Sequence, residues 1–174
     1  AWPHAQAPSH GLSAAGHWRL LDDLADAGCL WILYTGGEIF ARRDFLDMYT
    51  DAKKKGFLIT LFTNGTLITE RIADYLVEWR PFAIEITLYG RTQQTYARLT
   101  GIPGSYEKCL RGIRLHKARG LPLALKTVAV SSNPRALRAL QTFADETGVR
   151  RKFATTRQPG GPGVQSASAH ATEP

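Results

Sequence analysis

Four short apolar runs, each closed at its C-terminal end by a turn signal, alternate along this chain with segments of helical spacing. The runs are Leu30–Tyr34 before Thr35-Gly36-Gly37, Phe57–Phe62 before Thr63-Asn64-Gly65, Phe82–Leu88 before Tyr89-Gly90, and Leu123–Val130 before Ser131-Ser132-Asn133-Pro134. Each has the length and the β-branched or aromatic content of a buried strand. A fifth strand is expected to begin at Val149–Phe153.

The intervening segments place apolar residues on one helical face. His17–Ala27 brings Trp18, Leu21 and Leu24 together and stops at Gly28, and Asp44–Lys55 does the same with Phe45, Met48, Tyr49 and Ala52 before Gly56. Thr69 is positioned to cap a helix through Trp79. Ser105 is positioned to cap another, with Cys109, Leu110 and Ile113 inward, and a last helix follows Pro134 with Leu137, Leu140 and Phe143 inward. Polar caps and C-terminal glycines are what helix ends require. Strand–helix alternation with short connections implies right-handed crossovers and a parallel sheet, hence an α/β fold. An open doubly wound sheet and a β/α barrel both remain open at this point. In either, ligands meet the C-terminal ends of the strands.

The patterned region is 12–153. Residues 1–11 have no pattern, and 154–174 are rich in Pro, Gly, Ser and Ala with Val164 as the only large apolar side chain, so disorder is expected from about Ala154 onward. The net charge of +7 concentrates in 105–152, which holds 11 basic and 3 acidic residues. No aromatic interleaving or nucleic-acid motif accompanies it, so a solvated basic helix surface is preferred over nucleic-acid binding. No apolar run reaches the roughly 20 residues that span a bilayer, and Ala1–His10 does not read as a signal peptide. Two cysteines cannot build a disulfide framework, and a reducing cytoplasmic setting is expected.

Two features carry candidate chemistry. Gly36-Gly37-Glu38 follows a buried strand: two glycines allow close approach to the backbone, and the Glu offers a carboxylate to a cation such as an amino group. A plain tight turn with a surface Glu fits the same three residues. Strand parity makes Ala83, Glu85 and Thr87 share one face of their strand and Ala124, Lys126 and Val128 likewise share a face of theirs, so an apolar face under helices leaves Glu85, Thr87 and Lys126 on the interior side. Such groups need partners or a ligand; a structural Glu–Lys pair is the alternative. The five histidines show no metal-ligand spacing and read as surface imidazoles, and no catalytic triad can be assembled.

The stretch Ala27–Glu38, ending Thr-Gly-Gly-Glu, resembles the second strand of radical S-adenosylmethionine enzymes. Gly56–Thr66, ending Thr-Asn-Gly-Thr, resembles their third strand. Glu85–Gly90, with Thr95-Tyr96, Leu99–Ser105 and Cys109–Ile113, resembles the fourth strand and its helix. The resemblance covers roughly Leu12 to Arg150 and is greatest to the peptide-maturing type, as in pyrroloquinoline quinone biosynthesis. It implies a partial (β/α)6-type barrel of parallel strands lacking the first strand and its cluster loop. It implies S-adenosylmethionine as cofactor, with its amino group at Gly36, Gly37 and Glu38, its ribose near Thr87 and its carboxylate near Lys126. Ile39 replaces the proline common after the Glu, which is expected to loosen the turn. A peptide is the implied substrate.

The family's 4Fe–4S cluster takes three thiolates from a C-x3-C-x2-C loop, and Cys29 and Cys109 cannot supply three. Both read as small buried hydrophobes. No metal ligand and no catalytic residue is therefore assigned. The resemblance implies part of an enzyme that forms a 5′-deoxyadenosyl radical; a non-catalytic truncated or frameshifted product is the alternative.

Overall fold

The computed structural model describes residues 12–88, 90, 92–129 and 134–155. Helix α1 (Ala14–Asp26) leads into β1 (Trp31–Tyr34), then one 3-10 turn (Ile39–Ala41) and α2 (Phe45–Lys54). β2 (Leu58–Thr63), α3 (Glu70–Glu78) and β3 (Ala83–Thr87) follow. Two helices, α4 (Gln93–Thr100) and α5 (Ser105–Ala118), precede β4 (Leu123–Ala129), and α6 (Pro134–Thr147) returns the chain to β5 (Arg150–Thr155).

All neighbouring strands pair in parallel, in the order β1-β2-β3-β4-β5. That order decides between the two architectures left open by the pattern. A doubly wound sheet reverses its strand order once and so receives helices on both faces. Sequential order with crossovers of one hand keeps the helices on one face and curls the sheet toward a barrel.

The apolar strand residues supply the helix-covered face. Ile59, Leu61, Ile84 and Ile86 are fully buried, and Leu88, Leu123 and Leu125 nearly so. Burying side chains of this size stabilises by roughly 1.5–3 kcal/mol each. Helices α2 and α3 add Phe45, Tyr49, Ala52, Ala73 and Leu76 to the same core. The opposite, interior face carries Trp31, Leu33 and Leu58, which are half exposed, beside buried Thr60 and Glu85. Trp31 Nε1 donates to Thr60 Oγ1 across that face at 3.0 Å.

Local chemistry explains most helix boundaries. Ser13 caps α1 through Gly16 N–H, so the helix begins three residues before His17. Thr69 caps α3 as expected, accepting from Ile72 N–H. Ser105 does not cap α5. It is the first helical residue, Gly104 takes the cap position at φ +74°, and the Ser105 hydroxyl turns back to the Ile102 carbonyl at 2.7 Å. Helix α4, eight residues long, was not among the helices expected from apolar spacing; Thr92 caps it, and Tyr96 anchors it in the core. The fifth strand forms and continues through Ala154 and Thr155, which pair with Val128 and Ala129. The expected disordered tail therefore starts no earlier than 156, and the rest of it lies outside the described residues.

Two histidines correct the sequence reading. His17 and His116 are buried, not surface groups. His17 Nε2 meets the Tyr34 hydroxyl at 2.9 Å. His116 sits on the inner side of α5 with Nδ1 3.0 Å from the Gly112 carbonyl, which fixes Nδ1 as the protonated nitrogen. Burial pushes the His116 pKa down to about 4 and lowers that of His17 as well. Gly112 itself is a contact point: a Cβ there would lie 2.3 Å from the Gly65 carbonyl oxygen.

Two outcomes follow from this packing. The unfolded chain takes up the His116 proton near the ordinary imidazole pKa, before the folded chain does, so stability falls as pH drops from about 6.5 through about 4. His116 alone contributes on the order of 3 kcal/mol to that fall. Urea titrations of wild type and His116→Asn should show a shallower pH dependence in the variant; equal slopes would contradict the assignment. Gly112→Ala should lower stability by roughly 2–4 kcal/mol in the same assay, because α5 must withdraw from the β2–α3 loop.

Candidate functional site

The C-terminal strand ends form one edge of the sheet. The β1 end continues into Gly36 and Gly37, both exposed, and a Cβ at either would meet no atom within 4 Å. Gly36 is favoured by its backbone, at φ +159°, whereas at Gly37 neither packing nor a positive φ demands glycine. Absence of side chains leaves the turn's backbone amides and carbonyls open to a group approaching from outside.

Glu38, next in the chain, faces the other way. One carboxylate oxygen accepts from Phe40 N–H at 3.2 Å and Thr63 Oγ1 at 2.7 Å. The other accepts from Asn64 N–H at 2.8 Å and shares the Thr63 hydroxyl at 2.8 Å. The side chain thus caps the 3-10 turn and joins the β1 end to the β2 end. Ile39, which stands where proline is common, is buried and opens the 3-10 turn.

The β2 end is itself rigidly built. Gly65 N–H donates to Thr63 Oγ1 at 3.0 Å, and Asn64 Oδ1 accepts from both Thr66 N–H and Thr66 Oγ1. Gly65 adopts φ +76°, and its Cβ position lies 3.1 Å from Ile86 and 3.5 Å from Cys109 Sγ. A larger residue there would meet both backbone strain and side chains.

Thr87 and Lys126 are direct register partners on β3 and β4. The same register puts Glu85 and Lys126 on one face of neighbouring strands, as parity requires. Leu88 N–H donates to the Lys126 carbonyl at 2.9 Å, so β3 ends level with Lys126. The Lys126 ammonium lies 4.0 Å from the centroid of the Phe62 ring on β2, a cation–π contact that holds the charge over the interior face. Glu85 is buried beside them, at 4% exposure.

The structure therefore brings Gly36, Gly37 and Glu38 to the C-terminal edge at β1, and Thr87 and Lys126 together two strands away. Thr63 and Asn64, which hold Glu38, were marked in the sequence as a turn signal and as part of the third-strand resemblance, but not as partners of Glu38. Thr63 is the last residue of β2, and Asn64 follows it with its N–H turned to the carboxylate.

Neither cysteine belongs to this edge as a reactive group. Cys29 precedes β1 at the opposite end of the strand, with its thiol on the Trp31 carbonyl at 3.3 Å. Cys109 is fully buried in α5, and burial pushes its thiol up to about 11, which keeps it protonated and unreactive. Among the described residues no group of three potential metal ligands comes together, and no helix is long and apolar enough to cross a membrane.

Comparison with known proteins places the chain in a family. The Fe-coproporphyrin III synthase of Methanosarcina barkeri is 30% identical over 132 residues, covering 76% of this chain and 33% of that protein. A PqqA peptide cyclase from Granulibacter bethesdensis is 29% identical over 129 residues, covering 72% of this chain and 34% of the cyclase. The chain thus spans about a third of the length of the curated relatives it matches. Streptococcus suis SuiB bound to S-adenosylmethionine superposes with a TM-score of 0.71 at 18% identity, over 81% of this chain and 33% of SuiB. The anSMEcpe enzyme with bound AdoMet superposes with a TM-score of 0.73 at 18% identity, over 88% of this chain and 45% of that one. These likenesses confirm the fold as part of a radical SAM barrel. The Radical SAM superfamily model matches residues 12–153, and the chain belongs to that superfamily.

Proposed function

We propose that this chain forms the S-adenosylmethionine-cradling part of a radical SAM enzyme that modifies a peptide. The observation that carries the reading is the exposed glycine pair at the end of β1, whose backbone stays open on its outer side and where Gly37 is required neither by packing nor by a positive φ. The turn carbonyls would receive the cofactor's ammonium, the Thr87 hydroxyl its ribose, and the Lys126 ammonium its carboxylate. Lys126 suits that role because the Phe62 ring holds its charge in place without neutralising it. When bound beside a reduced 4Fe–4S cluster, S-adenosylmethionine supplies a hydrogen-abstracting 5′-deoxyadenosyl radical. The chain's own part is to bind and orient the cofactor at the strand ends.

The residues of this chain do not fit the cluster. Three thiolates are needed, and of the two present one lies at the opposite end of β1 while the other is sealed in α5. No step is therefore assigned to a cluster held by these 174 residues.

The peptide substrate is supported by the PqqA peptide cyclases among the relatives and by the superposition on SuiB bound to precursor peptide SuiA. The relatives named for Fe-coproporphyrin III and heme synthesis favour a second reading, a tetrapyrrole substrate. The two unpaired thiols support a reducing, cytoplasmic setting.

Anaerobic incubation of this chain with iron and sulfide should give no stoichiometric 4Fe–4S absorbance. Equilibrium dialysis should show weak S-adenosylmethionine binding, reduced roughly tenfold by Lys126→Ala, as expected for loss of one charge-assisted contact. Formation of 5′-deoxyadenosine by this chain would overturn the ligand analysis. Absence of cofactor binding would favour the non-catalytic reading.

A further inference from the structure

The Gly36–Gly37 turn is exposed, and a side chain at either position would meet no atom within 4 Å; the next residue in the chain is tied down. That residue is Glu38, and the Glu38 carboxylate is already occupied. It takes N–H groups from Phe40 and Asn64 and the hydroxyl of Thr63 on both oxygens. Three protons, from Phe40 N–H, Asn64 N–H and the shared Thr63 hydroxyl, engage both oxygens, so the carboxylate is held toward the β2 end with about one of its four acceptor sites left for a ligand. The donor that touches both oxygens, Thr63, is at 4% exposure and is itself oriented by Gly65 N–H, which occupies a lone pair of its hydroxyl and points the proton at Glu38. Gly65 in turn is seated against Gly112 of α5, whose missing Cβ leaves room for the Gly65 carbonyl.

We propose that Thr63 is a positioning residue for ligand recognition at the Gly36–Gly37 turn, acting through Glu38, and that Glu38 is a staple between β1 and β2 and not the direct partner of a ligand ammonium. Recognition of the ammonium then falls to the backbone carbonyls of the turn. This rests on the reading of the site as an S-adenosylmethionine cradle.

The test uses the 15N-labelled 174-residue chain as wild type, Thr63→Val, Thr63→Ser and Glu38→Gln. Valine keeps the shape of the buried side chain, and serine keeps the hydroxyl. Without ligand, Thr63→Val should shift the amide resonances of Gly36 and Gly37, while Thr63→Ser should leave them in place. Titration with S-adenosylmethionine should show a roughly tenfold loss of affinity in Thr63→Val, rescue in Thr63→Ser, and little further loss when Thr63→Val is added to Glu38→Gln. Unmoved Gly36 and Gly37 resonances in Thr63→Val would overturn the proposal whether or not the chain binds the cofactor. Loss of binding in Glu38→Gln with full binding in Thr63→Val would overturn it too, by making Glu38 a direct charge partner. If wild type itself shows no binding, the cradle reading falls, and the resonances still decide whether Thr63 holds the turn.

Discussion

The aliphatic face made by Ile59, Leu61, Ile84, Ile86, Leu88, Leu123 and Leu125 sets the positions of everything else. Side chains alternate along a strand, so committing these residues to the helix layer commits Thr60, Phe62, Glu85, Thr87 and Lys126 to the other side. A slip of one residue in any strand would exchange the two sets and put Glu85 and Lys126 beneath helices. The register of β2, β3 and β4 is therefore both the main source of stability and the device that collects polar groups on the interior face. Sequential strand order then places every C-terminal end on one edge.

At that edge, two loops are fastened together by a few charge-assisted bonds. The Glu38 carboxylate joins the end of β1 to the end of β2, and the Gly65–Gly112 contact joins the end of β2 to α5. Helix α5 is bound to α3 through Arg119, which reaches Asp74 at 2.6 Å and Glu70 at 2.9 Å. These last pairs are exposed on the acidic side and contribute little energy. Their value is in register between helices. The open glycine pair is thus carried on a rigid support while staying accessible.

Much of this was legible in the residues. Apolar runs with turn signals marked β1 to β4, because their helix-covered face is aliphatic and their polar positions are few; β5, rich in basic residues, has no such run and was expected only as a strand beginning at Val149–Phe153. Parity alone placed Glu85 and Lys126 on a common face. Other features depended on contacts that spacing does not encode. His17 and His116 looked like surface groups because an imidazole is polar, yet each occupies an inward helix position where Tyr34 or the Gly112 carbonyl satisfies one nitrogen. Helix α4 was not separated from α5 by pattern because it is only eight residues long and joins α5 through a short connection, with Tyr96 as its buried residue. The hold of Thr63 on Glu38 spans 25 residues of sequence and exists only once β1 and β2 are side by side.

Membership in the radical SAM superfamily is shown by the family match, while Cys29 lies at the opposite end of β1 and Cys109 is sealed in α5 beneath the end of β2. The central claim is that the cofactor's methionyl end sits on the Gly36–Gly37 turn with Lys126 and Thr87 completing the cradle. A crystal structure of this chain grown with S-adenosylmethionine tests it most directly. The account predicts density for the methionyl ammonium at the Gly36 and Gly37 carbonyls, with the carboxylate reached by Lys126 and the Glu38–Thr63 bonds intact. Density placed elsewhere, or a Glu38 side chain released from Thr63 to meet the ammonium, would contradict it.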